Sequence, residues 1–223
     1  DTLDLATFGS NTATISDFET LQVTSGTIDF TNITDVDDLQ VTTSATLQNV
    51  GIGAISDQVT FDDGASITVS SATETSLNFK GAAATGGNVT VTNNAATLTE
   101  VIYEPATAGT LTLGGTATTE LDIRGGENVT LSGSRIDDLL VIDAQSAGEV
   151  LIAATDLAAV TSYLGSSQKD DIDIGGLVAG ASYQTAGGND DVEISATQAV
   201  AATIALGSGA DTLTLTDDVD SAT

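Results

Sequence analysis

One phrase in this sequence is written twice, almost unchanged. "ISDFETLQV", residues 15–23, is followed eighteen residues later by "ITDVDDLQV", residues 33–41. Repetition at a short fixed period constrains a fold more than any single motif, because each copy must be one unit of a stack. With Leu-x-Val as anchor, weaker spellings continue at Val59, Leu77, Val101, Leu121, Leu139, Ile172, Val192 and Leu213. The steps between anchors are 18, 20, 18, 24, 20, 18, 33, 20 and 21 residues. A second apolar alternation falls between most anchors, at Ile28, Leu47, Ile67, Val89, Leu111, Val129, Val150 and Ile204.

Both series alternate with period 2, the mark of a strand with one buried face. Gly, Asn, Asp, Ser and Thr fill the intervals and turn the chain. The pattern predicts an all-β parallel β-solenoid, with about 20 residues and two short strands per turn and roughly ten rungs. Its core is expected as ladders, with Leu21, Leu39, Val59, Leu77, Val101, Leu121 and Leu139 in one column. Val23, Val41, Phe61, Phe79, Tyr103, Ile123 and Val141 are expected beside them. A β-sandwich of hairpins ranks second, since it gives no reason for near-constant spacing. The 33-residue step contains "AATDLAAVTSYLG", residues 153–165, which reads as a short helical insertion capped by Asp156 and stopped by Gly165, or else as a one-turn insertion or a rung too degenerate for the anchor pattern. The expected organisation is therefore a solenoid segment over 1–152, this insertion at 153–165, and a second segment over 166–223 continuous with the first.

Charge narrows the function. Four Lys+Arg stand against 32 Asp+Glu with no His, a net charge of −28. Such a surface repels nucleic acid and anionic lipid, which require basic footprints. It also repels itself, so divalent cations are the expected counter-ions, and Ca²⁺ is the hard, oxygen-seeking choice. With no Cys there is no disulfide or thiolate chemistry, and with no His the commonest general base is missing. No apolar run approaches the ~20 residues of a membrane span.

The last third carries the candidate metal ligands. "TAGGNDDVEI", residues 185–194, and "LGSGADTLTL", residues 206–215, each place glycines and then an Asp just ahead of a strand. Both approximate the nonapeptide GGxGxDxUx, in which glycines permit a tight turn and the carboxylate meets Ca²⁺. The candidates are Gly188, Asn189 and Asp190 in the first copy and Gly207, Gly209 and Asp211 in the second. "LGSSQKDDIDI", residues 164–174, is a third copy with Asp170 and Asp171 as its acids. Asp17, Asp35, Asp37, Asp57, Asp62, Asp63, Asp137 and Asp138 lack these glycines and read as turn-formers or solvated charges.

On these motifs the chain resembles the RTX-type calcium-binding proteins of Gram-negative bacteria, in particular their surface-layer proteins and large adhesins. The resemblance covers roughly residues 164–217, and here the motif comes about every 20 residues rather than in tandem. It implies secretion to the bacterial cell surface, calcium-dependent folding and a structural role. The expected partners are copies of the chain itself and cell-surface polysaccharide. A stalk segment of an adhesin is the alternative.

Two other readings rank lower. Solenoid enzymes need a base and a cation in a groove, and the basic residues are Lys80, Arg124, Arg135 and Lys169 alone. The chain is therefore read as non-enzymatic. An ice-binding rod needs a threonine array. Thr68, Thr90, Thr112 and Thr130 share an outward position on the second strand, but their paired column is incomplete. The outward position of the first strand holds Gln22, Gln40, Thr60, Asn78, Ile102 and Asp122. One threonine ladder is accounted for by β-propensity.

Overall fold

The computed structural model describes residues 1–5, 14–51, 58–152, 157–195 and 200–216. Its strands, in chain order, begin with β1 (Thr2–Leu5), β2 (Ile15–Val23), β3 (Thr27–Asp29), β4 (Ile33–Val41) and β5 (Ser44–Gln48). They continue with β6 (Gln58–Phe61), β7 (Ala65–Val69), β8 (Ser76–Gly81), β9 (Val89–Asn93), β10 (Glu100–Glu104) and β11 (Gly109–Gly115). Next come β12 (Glu120–Ile123), β13 (Val129–Ser132), β14 (Val141–Asp143), β15 (Val150–Ile152) and β16 (Ser162–Leu164). The last are β17 (Asp170–Ile174), β18 (Ser182–Gln184), β19 (Asp191–Ile194), β20 (Thr203–Ala205) and β21 (Thr212–Leu215). The only helical pieces among the described residues are 3₁₀ turns at Phe30–Asn32 and Ile136–Asp138.

Parity sorts the strands. The even-numbered strands, with β1 at the edge, form an 11-stranded sheet, and the odd-numbered strands from β3 to β21 form a 10-stranded one. Each strand pairs in parallel with the strand one full turn before or after it, the connectivity of a parallel β-solenoid and not of a hairpin sandwich. Ten rungs at ~4.8 Å make a rod on the order of 50 Å long. The opening phrase is two consecutive nine-residue strands in register, Ile15 opposite Ile33 through Val23 opposite Val41.

The core lies between the sheets, and its ladders differ from the expected columns in two places. Leu3, Leu21, Leu39 and Val59 stack as the anchors predict, but Val59 then faces Phe79 instead of Leu77. This two-residue slip places Gly81 opposite Phe61. The bare glycine lets the backbone of Gly86 close in, with an added Cβ standing 1.9 Å from Gly86 O, and in the same region the Phe61 and Tyr103 rings stack with centroids 6.2 Å apart. Leu77 instead begins a new column that runs through Val101, Leu121, Ile142, Tyr163, Tyr183 and Ile204. The second departure is at Leu139. The 3₁₀ turn at Ile136–Asp138 consumes residues there, so Ile142 takes the place opposite Leu121, while Leu139 is buried in the following corner and Val141 is only half-buried.

The 33-residue step is a change of sheet. Anchors from Leu21 to Leu121 lie on the even sheet, whereas Ile172, Val192 and Leu213 stack on the odd sheet. The interval from Leu139 to Ile172 is thus about one and a half turns. The expected helix at 153–165 is not formed by its described part: Ser162–Leu164 is strand β16, paired with β14 and β18, and residues 157–161 are irregular. Its proposed cap, Asp156, lies outside the described residues.

The two outer faces differ. On the even sheet, Gln22 Nε2 donates to Gln40 Oε1 (3.0 Å), Gln40 Nε2 to Asp62 Oδ1 (3.1 Å) and Thr60 to Asp38 (2.7 Å), so this face is tied rung to rung by side chains. On the odd sheet, Thr68, Thr90, Thr112 and Thr130 do not share one column. Register places Thr27, Thr46, Thr68 and Thr92 in one ladder. It places Ser44, Ser66, Thr90, Thr112 and Ser132 in a second, and Thr110 beside Thr130 in a third.

Candidate metal-binding site

Inward-facing positions of the odd sheet are apolar through most of the rod, and then become acidic. Val129 faces Val150, and Val150 faces Asp170. Asp190 and Asp211 occupy the equivalent place just ahead of β19 and β21, where Asp191 faces Thr212. Asp170 and Asp190 are 0 % and 1 % exposed. Two carboxylates buried one rung apart are costly unless something compensates their charge.

Part of the compensation is local. The Asp190 and Asp211 carboxylates reach toward the preceding rung: Asp170 N donates to Asp190 Oδ1 (3.0 Å), and Asp190 N to Asp211 Oδ1 (3.2 Å). Ser166 donates to Asp170 from its backbone N (3.0 Å) and from Oγ (3.3 Å). Asp190 Oδ2 is buried and has no hydrogen-bond partner among the described residues. Burial, and then the charge of Asp190, raise the Asp170 pKa to about 7 against the opposing pull of the Ser166 bonds. Tyr163, fully buried nearby, has its hydroxyl pKa raised by burial and then by the Asp170 and Asp190 charges. Its hydroxyl lies close enough to Asp170 to pull that carboxyl's pKa down, without a well-aligned hydrogen bond among the described residues.

Glycines make room for this ladder. A Cβ on Gly165 would stand 2.0 Å from Asp170 Oδ2, and one on Gly188 would stand 2.2 Å from Gln168 O and 2.9 Å from Asp190 Oδ1. The corners at 186–190 and 207–211 stack in register through the bridge Gly187–Ser208, with Gly188 N donating to Ser208 O. Gly188 and Gly209 both take positive φ, 138° and 145°. One level earlier Gly207 (φ 83°) stacks with Ala186, which adopts φ 63° without being glycine. That left-handed alanine costs ~1 kcal/mol. Ala186→Gly is therefore expected to raise stability by about 0.5–1 kcal/mol in equilibrium denaturation.

The remaining candidates divide. Asp171 points outward and pairs with Lys169 at 3.1 Å. Asn189 is exposed and accepts a bond from Ala210 N at 2.9 Å. Asp211 is half-buried at the last described rung. Asp170 and Asp190 are thus the pair that the fold brings together. Ser166 and Tyr163 escaped the sequence reading. The only signal for Ser166 was its position four residues before Asp170, and Tyr163 comes from the opposite sheet.

The other acids serve turns and surface pairs. Asp17 and Asp35 adopt φ 62° and 56° at matching positions in β2 and β4, a conformation Asp tolerates better than most residues. Asp37 is exposed. Asp63 accepts two bonds from Asn88, both 2.7 Å, and Asp29 accepts from Thr31 and Asn49; these bonds hold both pKa values below the ordinary carboxylate range. Asp138 pairs with Arg135 at 3.1 Å, and Asp137 lies within the same 3₁₀ turn. Asp57 lies outside the described residues. Each of the other basic side chains also has an acidic partner, Lys80 with Glu104 (3.1 Å) and Arg124 with Asp122 (2.6 Å).

A calcium ion needs six to eight oxygens. Among the described residues no group of three or more acidic side chains converges. Asp170, Asp190 and the partnerless Oδ2 fit the hard-oxygen chemistry, with the balance of ligands to come from backbone carbonyls and water. Among the described residues no helix is long and apolar enough to cross a membrane. No family model, no curated protein and no solved structure matches the chain.

Proposed function

We propose that this β-solenoid is a structural, non-catalytic protein of the bacterial cell surface, stabilised by Ca²⁺ and assembled with copies of itself into a layer, as its resemblance to RTX-type surface-layer proteins implies. The observation that carries the calcium reading is the buried Asp170–Asp190 pair, with one carboxylate oxygen left without a partner. The net charge of −28 supports the role of a divalent ion between acidic surfaces, both within one rod and between neighbours. Cell-surface polysaccharide is the proposed anchor.

The test is unfolding at pH 5 and pH 8, with Ca²⁺ and with EGTA. A carboxyl whose folded pKa is raised binds more protons folded than unfolded between its two pKa values, so its contribution to stability is lost as pH rises through that window. For Asp170, raised to about 7, metal-free stability should fall by on the order of 2 kcal/mol between pH 5 and pH 8. Asp29 and Asp63, whose pKa values are lowered, give up stability only at lower pH. Ca²⁺ requires the ionised carboxylate, so its stabilisation should be larger at pH 8. Asp170→Asn should flatten the metal-free slope, and Asp190→Asn should remove most of the calcium increment. Folding and assembly that are the same in EGTA and in Ca²⁺ would sink the calcium reading. Electron microscopy of calcium-loaded material should show sheets; single rods only would overturn assembly.

A further inference from the structure

From β5 to β13 the odd sheet presents a face from which charge is missing. Strands β5, β7, β9, β11 and β13 contain no charged residue. On the even sheet, β2, β4, β8, β10, β12 and β14 each carry at least one. In a chain of net charge −28, β-propensity alone explains threonine on an exposed strand but not the exclusion of Asp and Glu from five successive rungs.

What replaces charge is the pair of hydroxyl columns described above, one of threonine and one of serine and threonine. The hydroxyls of Ser44, Thr46, Ser66, Thr68, Thr90 and Thr92 have no partner within the protein among the described residues. Further along, Thr112 and Ser132 hydroxyls meet at 3.0 Å. A shallow trough of about 270 Å³ runs between the columns, lined by Thr27, Ser44, Thr46, Ser66 and Thr68.

We propose that this face binds ice. Rungs repeat every ~4.8 Å along the rod, and alternate residues along a strand repeat every ~6.6 Å, so the hydroxyls form a two-dimensional grid. Two water oxygens bonded to one tetrahedral neighbour through ~2.75 Å hydrogen bonds lie ~4.5 Å apart, close to the rung spacing. Waters bonded to successive free hydroxyls are thereby held near the spacing of the frozen lattice, with the trough housing a file of them. Threonine is stiff about χ1, so its hydroxyl and methyl are held in place before binding. Absence of charge completes the match, because ice does not accommodate ions with their hydration shells. A second copy of the chain is a poorer occupant, since serine is depleted in protein interfaces and this face offers no aromatic or Arg anchor.

The experiment freezes the folded chain slowly in calcium-containing buffer and measures its partition into ice, together with thermal hysteresis. The wild-type chain is expected to be enriched in ice and to shape crystals. Thr90→Lys and, separately, Thr68→Glu should each lower that partition at least tenfold with an unchanged circular dichroism spectrum. Gln40→Lys on the even sheet should leave it intact. Exclusion of the wild-type chain from ice, as for an ordinary solute, overturns the proposal whatever the variants do. So does a Thr90→Lys variant that changes only the sedimentation of the protein, which would assign the face to a second copy.

Discussion

Alanine at Phe79 is expected to lower stability by about 3–5 kcal/mol, the range for removing a fully buried aromatic ring. Phe79 is 0 % exposed and stands between Val59 and Tyr103 in the middle of a core ladder of the even sheet. It occupies the rung where register slips, beside a Gly81 already packed against the backbone of Gly86, so few neighbours can close on the space left behind. A solenoid rung contacts only the rungs on either side of it. The loss should therefore uncouple the N-terminal turns from the rest, and denaturation followed by circular dichroism should change from one transition toward two. Leu215→Ala supplies the contrast. That side chain is 59 % exposed on the last strand, and its removal should cost no more than about 0.5 kcal/mol. Equal losses at the two sites would contradict the ladder description.

Gly109→Ala is expected to cost about 3 kcal/mol or more by steric overlap alone. A Cβ there would stand 2.0 Å from Gly87 O and 2.1 Å from Gly87 C, both backbone atoms that cannot rotate away. Gly87 O also accepts the hydrogen bond of the buried Tyr103 hydroxyl, so moving this corner breaks a second interaction. Gly126→Ala isolates the conformational part. Gly126 has φ 78° with nothing within 4 Å of an added Cβ, so its alanine variant should lose only ~1 kcal/mol. Chemical denaturation of both variants separates the two effects, and indistinguishable midpoints would show that the corner at Gly87 yields.

The architecture was readable because a solenoid writes its period directly into the chain. Alternation told inward from outward at nearly every strand, and the twenty-residue step told that partners lie one turn apart. Register was not readable to the same degree. A slip of two residues keeps every apolar side chain on the inner face, so hydrophobic pattern cannot tell Val59 against Leu77 from Val59 against Phe79. For the same reason the anchor phrase could pass unnoticed from the even to the odd sheet after Leu139. Threonine columns suffered likewise, since Thr68 and Thr90 were assigned to one position, although the paired columns are indeed incomplete, with serine at Ser44, Ser66 and Ser132 and Gly114 following Thr92. At the candidate metal site, the glycine-to-Asp spacing favoured Asp190 and Asp211, while Asp170 stood in a poorer copy of the motif with its glycine displaced. Tyr163 could not be seen, because it reaches Asp170 and Asp190 from across the core.

Orientation of the ladders has a mechanical consequence. Strands run across the rod and their hydrogen bonds run along it, so tension applied between the two ends loads one rung at a time. Such a rod yields by peeling, and each freed turn of about 20 residues releases roughly 70 Å of extended chain. A body on the order of 50 Å long thus holds many times its own length in reserve, and absorbs an overload by lengthening at one end while the other rungs stay closed.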